Sequence, residues 1–260
     1  MSIIETDNWL ENQFFEPVEI CNQVVDSFQG LTSIQIYHLL VSKGMYTPNF
    51  RSYQIFKEMK EQNIWEYLKT LEEKYKSKWR GVNIPIYIFP AKSDIFNGSR
   101  KNGFTFPDKI FLFISDVTDL KEIEALFVHE YHHACRLSNT NKPIEENTLL
   151  DSIFMEGLAE YAVLVECGEK YLSEWTKFNK SAVRAYYHNV LKDQLNVSIQ
   201  NPLHDKLLYG KGFRSIPLVG YAVGFDWILQ ISKNKELSLK DTINKSSEYF
   251  YNLIENLELG

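Results

Sequence analysis

His129-Glu130-Tyr131-His132-His133 fits the pattern H-E-x-x-H, whose residue types suit a divalent metal with a carboxylate base beside it. On a helix, imidazoles four residues apart share one face to within about 40°, so both can direct a ring nitrogen at one cation. Glu130 lies about 100° round from His129, off the ligand line yet within reach of a water on the metal. The surrounding text supports a helix. Leu120, Ile123, Phe127, Ala134 and Leu137 recur at helical spacing, and Asp119 with Glu122 three residues on is a helix-start signature.

Two histidines leave a tetrahedral metal one protein ligand short of a catalytic set. The continuation H-E-x-x-H-x-x-G-x-x-H requires Gly at 136 and His at 139, where this chain has Arg136 and Asn139, so that solution is excluded. The other common solution is a glutamate from the next helix, and Met155-Glu156-Gly157-Leu158-Ala159-Glu160 supplies one. Leu149, Ile153, Val163 and Cys167 fall near the Glu156 line on a helical wheel, with Phe154, Leu158, Tyr161 and Val165 opposite. That helix is apolar nearly all round and is expected to be buried. Two carboxylates on one line of it would be costly without a cation or a donor. Glu156 is therefore assigned as the third ligand, and Glu160 as the acceptor of a ligand histidine's second N–H. Two alternatives stand: the acids pair with basic side chains at a crevice edge, or they exchange roles. Gly157, which would let helices approach closely, favours Glu156.

The neighbours of the motif read differently. His132 borders the ligand face and suits a supporting place rather than a ligand. Arg136 lies about 20° from His129 on the wheel, where pairing with Glu160 or another acid is favoured over holding a substrate carboxylate. Cys135 follows His133 by two residues, about 200° round, and reads as a core residue.

The elements that must position this site form an α+β pattern. Residues 16–80 are helix-rich, with a stripe of Val18, Cys21, Val24, Val25 and Phe28 and a second helix from Ile64 to Tyr75 through Trp65, Leu68 and Leu71. Gly44 to Asn49 reads as a loop. Asn83 to Pro90 and Lys109 to Ser115 read as strands. Asn97-Gly98 and Asn102-Gly103 are turn dipeptides around Ser99-Arg100-Lys101. From there the chain reads as helical to the end, except a loop near Asn201 to Pro217. The expected organisation is a helical region over 1–80 and a catalytic domain over 81–260, with one continuous domain as the alternative.

With 260 residues, 44% hydrophobic and 24% charged, the chain has the balance of a folded globular protein. A net charge of −6 argues against a nucleic-acid partner or an anionic membrane surface. Three separated cysteines, Cys21, Cys135 and Cys167, suit reduced thiols in the cytoplasm. The N-terminal text lacks the character of a signal peptide, and no run of about 18 apolar residues suggests a membrane span.

His129 to Arg136 (HEYHHACR), Glu156 to Ala162 (EGLAEYA) and Gly220 to Phe225 (GYAVGF) together resemble the YjaZ-type family of predicted zinc-dependent proteases, with a gluzincin-like metal arrangement. The resemblance covers roughly residues 80 to 235. It implies a small mixed sheet, an active-site helix and a helical C-terminal half. The implied chemistry is hydrolysis of peptide bonds by a zinc-activated water, with Glu130 as general base and proton donor to the leaving amine. A donor to the developing oxyanion is also implied; Tyr221 is the first candidate, with Tyr209 and His204 as alternatives. In such folds the strand before the metal helix, here Ile110 to Ser115, forms the cleft edge to which an extended peptide adds. Two competing readings are a non-catalytic, zinc-stabilised protein that binds a peptide or partner, and a hydrolase of non-peptide amides.

Overall fold

The structure is a computed structural model that describes residues 2–92, 101–115, 119–140, 142–210 and 216–258. Five helices come first: α1 (Thr6–Gln13), α2 (Pro17–Asn22), α3 (Ser33–Lys43), α4 (Phe50–Glu61) and α5 (Ile64–Trp79). Strands β1 (Ile86–Pro90), β2 (Lys101–Phe106) and β3 (Lys109–Ile114) follow. The remainder is helical: α6 (Leu120–Asn139), α7 (Leu149–Cys167), α8 (Lys180–Tyr186), α9 (Pro202–Leu208), α10 (Val219–Asn234), α11 (Leu239–Asn244) and α12 (Ser247–Glu258). The protein is α+β, as expected. Contacts group it into two units, Met1–Ala134 and Cys135–Gly260, and the N-terminal helices share the first with the sheet.

In the first unit the strand order is β1-β3-β2, with β1 parallel and β2 antiparallel to β3. Every residue of β3 (KIFLFI) is buried, which its unbroken apolar run after Lys109 dictates for a strand covered on both faces. This overturns the expectation that β3 forms the edge: it has a partner on either side, and among the described residues β2 is the terminal strand. The outer side of β1 is met by the N-terminal segment, where Ile3 bridges to Ile86 and the Ile4 N–H donates to the Ile86 carbonyl at 3.0 Å.

Two local readings are also corrected. Asn102-Gly103 is not a turn but lies inside β2, opposite Phe113 and Leu112. Strand pairing overrides its turn preference, and Gly103 has a second reason to be small, given below. Asn97-Gly98, Ser99 and Arg100 lie outside the described residues. The stripe from Val18 to Phe28 is not one helix, because α2 ends at Asn22 and Val25–Ser27 forms a 3-10 turn. The β-branched pair Val24-Val25 is a poor helix continuer. Packing then draws Phe28 onto Phe106 and Phe111, at ring separations of 5.4 and 5.9 Å.

Helix α6 is fixed to α5 by both charge and aromatic packing. Glu124 accepts hydrogen bonds from Lys74 (2.6 Å), Tyr75 (2.6 Å) and Lys121 (2.7 Å). One turn on, Phe127 stacks on Tyr131 at 5.2 Å, and Tyr131 stacks on Trp79 at 6.0 Å. The Tyr131 hydroxyl donates to the Val82 carbonyl at 2.8 Å. Burying each such side chain contributes roughly 1.5–3 kcal/mol.

In the second unit α7 and α10 pack along their lengths, with Ile153, Phe154, Leu158, Val223, Trp227 and Ile228 in the shared core. The expected loop from Asn201 to Pro217 contains helix α9, started by Asn201, whose side chain accepts from the Leu203 N–H, and by Pro202 at the first position. Gly157 does allow a close helix approach, but its partner is α10: a Cβ there would fall 2.3 Å from the Gly224 carbonyl carbon.

Candidate metal centre

The first turn of α6 is capped as the sequence suggests, with Asp119 Oδ1 accepting from the Lys121 N–H at 3.0 Å. Two turns further on, His129, Glu130 and His133 converge. One ligand atom from each lies within 4.8 Å of the others. The rings of His129 and His133 are 4.6 Å apart at 86°. His133 and Glu130 are buried at 8% and 7% exposure, while His129 is half-buried. Two imidazoles and a carboxylate at this spacing fit a divalent cation. Tyr131, on the opposite face, is the anchor that presents them. His132 is fully buried, edge-on to Trp79 at 6.1 Å, and stands outside the converging group, as does the buried Cys135.

Strand β2 supplies the surroundings of Glu130. The Thr105 hydroxyl lies 2.6 Å from Glu130 Oε2 and 3.1 Å from the Glu130 carbonyl oxygen. Gly103, two residues back on the same face of the strand, leaves the space that the carboxylate occupies. A Cβ there would meet Glu130 Cγ, Cδ and Oε1 at 2.3, 2.4 and 2.5 Å. Sequence reading missed both residues. The one available signal was a glycine inside a strand, which marks close approach of another group.

The second unit holds the remaining site candidates. Glu156 on α7 and Tyr221 on α10 are within hydrogen-bonding reach, and Tyr209 joins them. Burial, the Glu156 carboxylate and Tyr209 together push the Tyr221 phenol well above its ordinary range. Tyr221 therefore stays protonated, a donor at any physiological pH. Glu160 is buried and accepts from the Ser173 backbone N–H. His204 is also buried, with Nε2 2.9 Å from Ser152 Oγ and Nδ1 3.0 Å from Asp205 Oδ1, so both ring nitrogens are engaged. That leaves it poorly suited to the movable donor role.

Arg136 has partners other than the acids expected for it. It donates to the carbonyls of Thr242 (2.8 Å) and Lys245 (2.6 Å) and to Ser247 Oγ (3.3 Å), at the C-terminal end of α11. Unsatisfied carbonyls and the negative helix end attract a cation there. Burial lowers its pKa to about 10, with Asp151 and Glu248 opposing that shift. A cavity of about 390 Å³ lies between α8 and α10, lined in part by Arg184, Tyr187, Asp226 and Trp227. Its charges are satisfied by the Arg184–Asp226 pair at 2.9 Å, and none of its residues belongs to the metal group.

An α+β fold that places two histidines and a glutamate on one turn is matched by sequence comparison. Residues 64–252 fit the family described as "Predicted Zn-dependent protease (DUF2268)", and the chain belongs to that family. Over 258 residues it is 32% identical to the uncharacterized protein YjaZ of Bacillus subtilis (strain 168), covering 96% of this chain and 98% of that protein. No solved structure matches the chain. Among the described residues, no helix is long and apolar enough to cross a membrane.

Proposed function

We propose that the protein is a zinc-dependent peptidase whose metal is held by His129, His133 and Glu156. The observation that carries this reading is the carboxylate of Glu130 beside two imidazoles on one helical turn, held there by β2. A purely structural metal site needs no such base and closes its fourth position with another ligand. Zinc, when bound, supplies Lewis-acid polarisation of a carbonyl and activation of water.

The chain's own residues do the rest. Glu130 takes a proton from the attacking water and delivers it to the leaving amine. Tyr221, kept protonated by burial and by Glu156, donates to the oxyanion as it develops. Glu160 is proposed as the acceptor of a ligand histidine's N–H. The substrate is an extended peptide that adds to β2 rather than to β3, since main-chain pairing needs a terminal strand. Pairing of this kind tolerates many side chains. Three widely separated cysteines suit a reducing compartment, and the cytoplasm is the proposed location. The net charge of −6 favours a protein or peptide partner over nucleic acid.

The test is cleavage of a diverse peptide library by zinc-loaded wild type and Glu130→Gln, followed by mass spectrometry. Cleavage by the wild type and a loss of at least about 100-fold in the variant are expected. Equal cleavage by both would discard the base. No cleavage by wild type carrying stoichiometric zinc would favour a zinc-stabilised binding protein.

A further inference from the structure

We propose that Thr105 and Gly103 form a seat on β2 that positions the Glu130 carboxylate for its work as the base. This inference rests on the reading of Glu130 as the base.

The Thr105 hydroxyl has one proton and two acceptors in range, Glu130 Oε2 at 2.6 Å and the Glu130 carbonyl at 3.1 Å. The shorter, charge-assisted contact takes it, because a carboxylate is the stronger acceptor. Among the described residues, Thr105 is the sole hydrogen-bond donor to that carboxylate. Oε2 is thereby engaged. Oε1 is the oxygen that Gly103 admits, lying 2.5 Å from where a Cβ would stand.

The two β2 residues act as a pair. One pulls the carboxylate in with a hydrogen bond, and the other provides the room. Both are held in register by β3, Gly103 opposite Leu112 and Thr105 opposite Ile110. A flexible glutamate is thus fixed against a strand rather than left to sample its rotamers, which keeps a general base at its working distance. In the transfer, a proton leaves water for the Glu130 carboxylate and passes from it to the departing amine, and Thr105 keeps its own proton. Thr105 and Gly103 are positioning residues, since neither touches the reacting atoms.

The variants that test this are Thr105→Val, Thr105→Ser and Gly103→Ala, each zinc-loaded in the full chain. Thr105→Val keeps the side-chain shape and removes the donor. It is expected to bind zinc stoichiometrically, to lose about 10- to 100-fold in kcat and to hold KM within about twofold. Thr105→Ser restores kcat to within about threefold, because the hydroxyl returns. Gly103→Ala loses kcat with Thr105 intact, because the carboxylate is evicted. Crystal structures provide a readout independent of activity: Glu130 stays over Gly103 in wild type and Thr105→Ser, and leaves that place in Thr105→Val. A Thr105→Val protein with wild-type kcat, or with Glu130 unmoved, overturns the proposal while leaving the peptidase reading intact. A wild type that cleaves nothing overturns the peptidase reading, and the position of Glu130 in the crystals then decides the seat alone.

Discussion

Gly157 of α7 and Gly224 of α10 touch backbone to backbone. A Cβ on Gly157 would fall 2.3 Å from the Gly224 carbonyl carbon, and one on Gly224 would fall 2.0 Å from the Ile153 carbonyl oxygen. This contact sets how near α7 and α10 can come. It also sets the distance at which Tyr221, one turn before Gly224, meets Glu156, the residue before Gly157.

Gly224→Ala therefore reverses the usual sign of its substitution. In an open helix the change gains about 1 kcal/mol. Here the added methyl meets backbone, which cannot turn aside, and a loss of about 3 kcal/mol or more is expected in urea unfolding. A variant as stable as wild type would mean that the helices pack farther apart than described.

Metal content separates the ligands from the residues around them. His133→Ala is expected to lose stoichiometric zinc, and Glu156→Gln to bind it at least about 10-fold more weakly. Tyr221→Phe should retain zinc while peptide cleavage falls about 100-fold. Dialysis followed by elemental analysis reads the first two, and undiminished zinc in His133→Ala would reject the site.

Arg136→Met tests the buried end of α11. The substitution keeps much of the bulk but strips three donated hydrogen bonds from Thr242, Lys245 and Ser247. About 3 kcal/mol of stability should be lost, read by chemical denaturation. Arg136→Lys should recover only part of this, because an ammonium cannot span acceptors as a planar guanidinium does.

Acid should weaken the α5–α6 clamp in a defined window. Burial pushes the Glu124 carboxyl up, but hydrogen bonds from Lys121, Lys74 and Tyr75 and the Lys121 charge outweigh it, leaving a pKa of about 2 against an ordinary 4.5. The folded value is the lower one, so this stabilisation is present above about 4.5 and fades as pH falls towards 2. The stability difference between wild type and Glu124→Gln should be constant near neutrality and shrink across that interval. A difference independent of pH would show that Glu124 is not held as a carboxylate.

The residues of the candidate metal group are more legible in the sequence than those around them. His129, Glu130 and His133 are one turn of one helix, so local spacing alone brings them together. The helix start at Asp119, helix α5 and the strand character of β1 and β3 follow from patterns a few residues long. Strand order does not. Nothing in Ile110 to Ser115 says that β2 would occupy its other side, and Asn102-Gly103 reads as a turn until Leu112 and Phe113 are known to lie opposite. Thr105 was invisible for the same reason, because its partner is 25 residues away in sequence. Arg136 reads as the partner of an acid, whereas its partners are carbonyls more than 100 residues distant.

The sheet can grow in one direction. The N-terminal segment lies along β1, whereas among the described residues β2 pairs with β3 alone. A terminal strand accepts any extended chain that reaches it, including a strand from another copy of the same protein. On the proposed reading, substrate peptide and a second copy compete for that one strand, so crowding should slow cleavage and a bound peptide should keep the protein dispersed.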